Sequence, residues 1–146
     1  MRKDSSDLLL LDVNVLLAIA WPNHQFHAAA IAALSRQNRW ATCALTQLGF
    51  IRLSSNPAAI SNAKSPEEAA GLLARLVADS WHTYLHSLPA PVSADWRDAF
   101  RRLIGHQQVM DAYLLRLAAA NNAVVVTFDR RLESIAGSKP RVTVLG

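Results

Sequence analysis

Leu8-Leu9-Leu10-Leu11-Asp12-Val13-Asn14-Val15-Leu16-Leu17-Ala18 is the stretch from which the rest of the chain can be read. Four consecutive leucines leave no polar face, as expected of a short strand buried on both sides of a sheet. Asp12 follows at once, with Asn14 two residues on. In open α/β sheets, ligands bind just beyond the carboxyl ends of the strands, where Asp12 falls. The commonplace role for a lone aspartate there is to cap the following helix, and Asp12-Val13-Asn14 suits that too.

Outward from this stretch, strands and helices alternate. Phe26, Ala29, Ala30, Ala33 and Leu34 recur at helical spacing up to Asn38, and Trp40–Ala44 reads as a second strand. Leu45–Ser54 reads as a helix closed by Ser55-Asn56-Pro57. Ser65-Pro66-Glu67-Glu68 combines a cap, a proline at the first helical position and a capping box, ahead of the apolar stripe Ala69, Leu72, Leu73, Leu76 and Val77. Trp81–Leu85 suits a short edge strand, and Leu88–Val92, with two prolines, a connection. Ser93 is placed to cap a helix with Trp96, Phe100 and Leu103 inward. Met110, Tyr113, Leu114, Leu117 and Ala118 mark another helix, ended by Asn121-Asn122. Val124–Val126 is the clearest strand, and Arg141–Leu145 a final one. The pattern predicts an α/β fold with a mainly parallel central sheet covered by helices, in one domain spanning residues 1–146.

Composition agrees with a packed domain. Of the 146 residues, 51% are hydrophobic and 18% charged, which argues against disorder. The net charge of +4 permits a nucleic-acid partner without requiring one. The single cysteine, Cys43, lies among apolar neighbours and rules out an intrachain disulfide, which fits a reducing cytoplasm. Met1-Arg2-Lys3 before the leucines resembles a signal peptide, but Asp7, Asp12 and Asn14 break the run, and no stretch approaches the ~20 apolar residues needed to span a bilayer. The expectation is a cytoplasmic protein with no membrane association.

Two further aspartates give Asp12 its interest. Asp129 follows the Val124–Val126 strand after only Thr127-Phe128, and Asp111 opens a helix, where its charge suits the helix dipole. Each alone is an ordinary cap. Three carboxylates at one edge repel one another and are costly to bury without a cation. A hard divalent ion with oxygen ligands, Mg²⁺ or Mn²⁺, answers that need. The five histidines (24, 27, 82, 86 and 106) lack zinc-site spacing.

At this point the residues meet a family. Leu10-Leu11-Asp12-Val13-Asn14-Val15-Leu16-Leu17-Ala18 resembles the opening motif of PIN domains. Leu45-Thr46-Gln47-Leu48-Gly49-Phe50-Ile51-Arg52-Leu53 resembles their second motif, Val109-Met110-Asp111-Ala112-Tyr113-Leu114 their third, and Val126-Thr127-Phe128-Asp129-Arg130 their fourth. Trp21-Pro22 and Ser55-Asn56-Pro57 are similar to the VapC-type toxin branch. The resemblance implies a three-layer α/β/α sandwich and a ribonuclease acting as the toxin of a type II toxin–antitoxin pair. It implies that Asp12, Asp111 and Asp129 bind Mg²⁺ or Mn²⁺, with Asn14 and Thr127 supporting metal-bound water. Its implied partners are RNA, a small antitoxin that covers the pocket, and a second copy in a homodimer.

One position departs from the pattern: Gln47 stands where the second motif carries Glu. It keeps the shape and one acceptor but loses the charge, which weakens a metal site. Gln47 shares a helix side with Phe50 and Ile51 and is expected to face the pocket. The loss keeps open an alternative, a weakened or non-catalytic PIN-like binding protein. A phosphotransfer enzyme with Asp12 as nucleophile is a more distant option, because Asn14 cannot serve as the second acid. Glu133, one turn beyond Asp129, suits a surface salt bridge with Arg130 better than a replacement ligand.

Arg52, Arg97, Arg101, Arg102, Arg130 and Arg131 are candidates for phosphate contact, though most suit solvated helix faces. Arg130, abutting Asp129, and Arg52 lead that group. Trp21, Trp40, Trp81 and Trp96 can stack on bases or fill the core, and Trp21, in its Trp-Pro loop, stands out, with an apolar patch from Trp21 to Phe26 open to a partner.

Overall fold

The structure is a computed structural model that describes residues 7–34, 38–93, 96, 100–101, 103, 105–136 and 141–146. The leucine run forms strand β1 (Leu8–Leu11), followed by helices α1 (Val13–Ala20) and α2 (His27–Leu34) and strand β2 (Trp40–Cys43). Helices α3 (Ala44–Ser54) and α4 (Pro66–Val77) lead to strand β3 (His82–Leu85). Helix α5 (Val109–Ala120), strand β4 (Ala123–Thr127), helix α6 (Arg131–Ala136) and strand β5 (Arg141–Val144) complete the order. The helix expected after Ser93 falls largely outside the described residues, as do Arg97 and Arg102.

All five strands are parallel, in the order β3-β2-β1-β4-β5. The chain builds one half of the sheet from β1 towards β3, then crosses back to lay β4 on the other side of β1. The direction of winding therefore reverses between β1 and β4, where an open α/β sheet leaves a crevice at its carboxyl edge. Leu8–Leu11 pair in register with Ala123–Val126, so Asp12 and Thr127 leave the sheet side by side.

Alternation along the strands feeds two cores. Leu8, Leu10, Val125, Ala41 and Cys43 pack with α5 and α6 through Leu114, Leu117 and Leu132. Leu11, Trp40 and Val126 face α1, α3 and α4 through Val15, Leu16, Phe50 and Leu73. The outcome is helix, sheet, helix: a three-layer sandwich.

Local signals operate as the sequence implies. Ser65 Oγ accepts from Glu68 N at 3.1 Å while Glu68 Oε1 accepts from Ser65 N at 3.0 Å, closing the capping box. Asn122 takes φ +53° just past α5, a left-handed turn that asparagine tolerates. Two expectations change. Trp21 is only 8% exposed, with its indole N–H on Ser54 Oγ at 3.1 Å, so it is a core residue and not a docking surface. Met110 is 62% exposed, because the buried stripe of α5 runs instead through Ala112, Leu114, Leu115, Leu117 and Ala118.

Helix α3 approaches α1 at Gly49. A Cβ there would meet Val13 Cγ2 at 2.7 Å. Val13 is β-branched, stiff in χ1, and bonded to the carboxylate of Asp12 through its backbone N–H. Gly49→Ala should therefore destabilise the fold by about 1–2 kcal/mol, the overpacking cost less the gain in helix propensity. Urea denaturation checks this; unchanged or higher stability would show that α1 yields without cost.

Candidate active site

The centre of the site is a buried hydroxyl. Thr127, the last residue of β4, is 0% exposed. Its Oγ1 donates to Asp12 Oδ2 at 2.7 Å and accepts from Asn14 Nδ2 at 3.3 Å and from Asp129 N at 3.0 Å. One donor and two acceptor sites are thus all in use. With Nδ2 committed to Thr127, Asn14 turns its carbonyl oxygen to the Phe128 N–H at 3.3 Å. The other oxygen of Asp12, Oδ1, accepts from Val13 N at 2.8 Å, so Asp12 also caps α1. The cap role and the site role coexist in one side chain.

Asp111 comes from the opposite layer, in the first turn of α5. Its carboxyl is raised from the ordinary 3.8 to about 6, first by burial and then by the negative charges of Asp12 and Asp129. Burial likewise raises Asp12, against the lowering effect of its bonds to Thr127 and Val13, with Asp129 adding to the rise. Asp111 thus feels both other carboxylates and Asp12 feels Asp129, which puts the three in one electrostatic neighbourhood. Asp129 is lowered instead, because Arg131 holds it: Nε reaches Oδ1 at 3.0 Å and Nη2 reaches Oδ2 at 2.8 Å.

The sequence singles out Arg130 for phosphate contact because it abuts Asp129; the side chain that pairs with Asp129 is that of Arg131. Asp129 Oδ1 accepts from the backbone N–H of Arg131 at 2.9 Å, a local turn that carries the second following residue back over the carboxylate and leaves Arg130 exposed. Arg52 is exposed in the last turn of α3. Among the described residues neither Arg52 nor Arg130 forms an ion pair with the three aspartates.

Gln47 lies on α3, half-buried. Its Nε2 donates to Thr42 Oγ1 at 3.0 Å, and that hydroxyl also meets His82 Nε2 at 2.8 Å. Among the described contacts none joins Gln47 to Asp12, Asp111 or Asp129. Burial lowers His82 below its ordinary value, so the ring is neutral and suited to share a hydrogen bond with a hydroxyl. The sequence gives little sign of this Gln47–Thr42–His82 chain. Thr42 and His82 are 40 residues apart and meet only because β2 pairs with β3.

The donor set suits a hard divalent cation: three carboxylates, two raised by burial, with Arg131 as the one guanidinium acting on them among the described residues. Their present arrangement is not that of a closed ligand cage. No cluster of three acidic, histidine or cysteine side chains positioned for an ion occurs among the described residues. Asp12 is turned onto Thr127, and Asp129 onto Arg131.

A PIN domain model matches residues 9–138. Ribonuclease VapC39 of Mycobacterium tuberculosis is 39% identical over 133 residues, covering 88% of this chain and 94% of its own. Ribonuclease VapC38 of the same organism is 36% identical over 143 residues, covering 94% and 96%. The solved structure of Mycobacterium tuberculosis VapC20, described as a sarcin-ricin loop cleaving toxin, superposes with a TM-score of 0.64 at 15% identity over 91% of this chain and 98% of that one. The toxin–antitoxin complex VapBC-1 from nontypeable Haemophilus influenzae gives a TM-score of 0.62 at 15% identity over 94% and 97%. The chain belongs to the PIN-domain family, among its VapC ribonucleases.

Asp111 makes a testable contribution to stability. Its folded value lies above the unfolded one, so the carboxyl favours folding while protonated, and that contribution is lost as pH rises from about 4 through about 6. His82, held neutral, acts in the opposite sense as pH falls. Comparison with Asp111→Asn isolates the carboxyl. In chelator the variant should melt at nearly the wild-type temperature at pH 4, then gain on it through pH 6 and stay ahead at pH 7. A constant offset across this range would show that Asp111 ionises normally.

Proposed function

We propose that the chain hydrolyses RNA phosphodiester bonds at the carboxyl edge of its sheet, as the toxin of a type II toxin–antitoxin pair. Asp12, Asp111 and Asp129 are assigned as the ligands of Mg²⁺ or Mn²⁺. The observation that carries this is that burial raises the carboxyls of both Asp12 and Asp111 beside the point where winding reverses, with Asp129 adding to the rise of each and Asp12 to that of Asp111. Close carboxylates repel the phosphodiester as well as each other, and a bound divalent ion would reverse that field, acidify water and stabilise charge on phosphate. The chain's own residues do the positioning. Thr127 and Asn14 fix the Asp12 carboxylate and the turn leading to Asp129. Arg131, together with the exposed Arg130 and Arg52, offers positive charge to the RNA backbone.

The relatives named ribonuclease favour the enzyme over a non-catalytic PIN-like binding protein. The toxin–antitoxin complexes among the structural neighbours support an antitoxin partner, for which an acidic pocket offers a natural seat for a basic side chain. No described helix is long and apolar enough to cross a membrane. We further assign the protein to the cytoplasm, as one domain that pairs with a second copy.

Replacing Asp111 by Asn should lower RNA cleavage at least about 100-fold. It should also abolish the rise in melting temperature that millimolar Mn²⁺ gives the wild type, since only a ligand bound to the folded state raises stability. A variant that still cuts and is still stabilised by Mn²⁺ would remove Asp111 from the site.

Gln47→Glu is the complementary test. The Thr42 hydroxyl would then donate to the new carboxylate and accept from His82, a change the neutral ring permits by switching tautomer. The added charge should raise Mn²⁺ affinity about three- to tenfold, with faster cleavage. Equal affinity and rate in side-by-side titrations would show that position 47 does not act on the ion.

A further inference from the structure

The acidic site has an aromatic flank. Phe128 lies between Thr127 and Asp129, and its backbone N–H is held by Asn14 Oδ1 at 3.3 Å, so its main chain belongs to the site's hydrogen-bond network. Its ring stacks on Phe26, with centroids 4.6 Å apart and planes 20° from parallel. Phe26 stands in the loop between α1 and α2 and is 37% exposed. One face of its ring is covered by Phe128, and more than a third of the residue nevertheless remains exposed to solvent. His24 lies beside the Phe26 ring, with centroids 5.9 Å apart and planes tilted by 44°. Its Nδ1 also accepts the Phe26 backbone N–H at 3.0 Å, fixing the loop that presents the ring.

An exposed phenyl ring offers nothing to a phosphate and costs free energy in water. Here it is held by a second ring next to a site for a polyanion. A single-stranded nucleic acid carries both complements, a phosphate for the acidic site with its ion and a flat base for the ring. We infer that Phe26, backed by Phe128, is a stacking platform for an RNA base adjacent to the scissile phosphate. The platform is sequence-tolerant, because every base has a π-face, and it contributes affinity and register.

This inference rests on the RNA-cleaving function proposed above, and the test separates the two. The probes are a 12-nucleotide single-stranded oligoadenylate and an abasic ribose-phosphate chain of the same length, both fluorescently labelled. Binding is read by anisotropy with Ca²⁺ in place of Mg²⁺, a hard cation that takes the same oxygen ligands while suppressing cutting. The protein with Phe26 intact should prefer the base-bearing chain about five- to 100-fold, the range expected for one stacked base. Phe26→Leu, which keeps an apolar side chain but has no π-face, should lose that preference, while Phe26→Trp should retain or increase it. An equal preference in Phe26→Leu would overturn the platform. Wild-type protein that cuts RNA, combined with that result, would leave the ribonuclease function standing. Wild-type protein that neither binds nor cuts these or other RNAs with Mg²⁺ or Mn²⁺ would overturn both.

Discussion

Like charges gathered at one edge of a sheet are the constraint around which this molecule is arranged. Asp129 disfavours the charged form of Asp12, and both disfavour that of Asp111, so something must hold the three in place against repulsion. The Thr127 hydroxyl does much of this. Being fully buried and fully hydrogen-bonded, it can neither rotate freely nor be replaced by water, and through it Asp12, Asn14 and the Asp129 backbone become one unit. A buried hydroxyl without those partners would cost about 1–3 kcal/mol, so the network and the site geometry depend on each other. The parallel pairing of β1 and β4 sets the two strand ends beside one another, and the network closes the gap.

The two outer layers contribute differently. On one side α5 delivers Asp111 across a core of leucine and valine, an apolar setting that keeps its carboxyl weakly acidic. On the other side α1 and α3 meet at Gly49 so closely that the backbone preceding Asn14 has little room to shift. Stiff packing on both sides accounts for how carboxylates can be held near one another, since a looser scaffold would relieve the repulsion by moving apart. Arg131 relieves part of it from the solvent side by pairing with Asp129, though a pair so exposed contributes little to stability.

Position 47 illustrates how a family departure can be absorbed locally. A glutamine there donates its amide to Thr42, which in turn meets His82, and the three form a polar chain without adding charge. The chain links α3, β2 and β3, so its members come from three separate elements of the fold. Its chemistry is neutral throughout, and so it can sit half-buried at modest cost.

The sequence by itself determined the layers and the order of elements, and it singled out the three aspartates. Those features are written in local patterns: four leucines before Asp12, three valines before Asp129, a capping box at Ser65, a polar pair ending α5. Periodicity and caps act within a few residues, so they are legible without a fold. What only the tertiary structure decided are the partners of side chains far apart in the chain. Arg131 rather than Arg130 holds Asp129 because a turn carries the chain back over the carboxylate. Trp21 is buried because Ser54, 33 residues away, accepts its indole proton. Phe26 meets Phe128, and Thr42 meets His82, through loop placement and strand order. Such pairings depend on how elements dock, and docking is a property of the packed chain as a whole, which no short stretch of residues encodes.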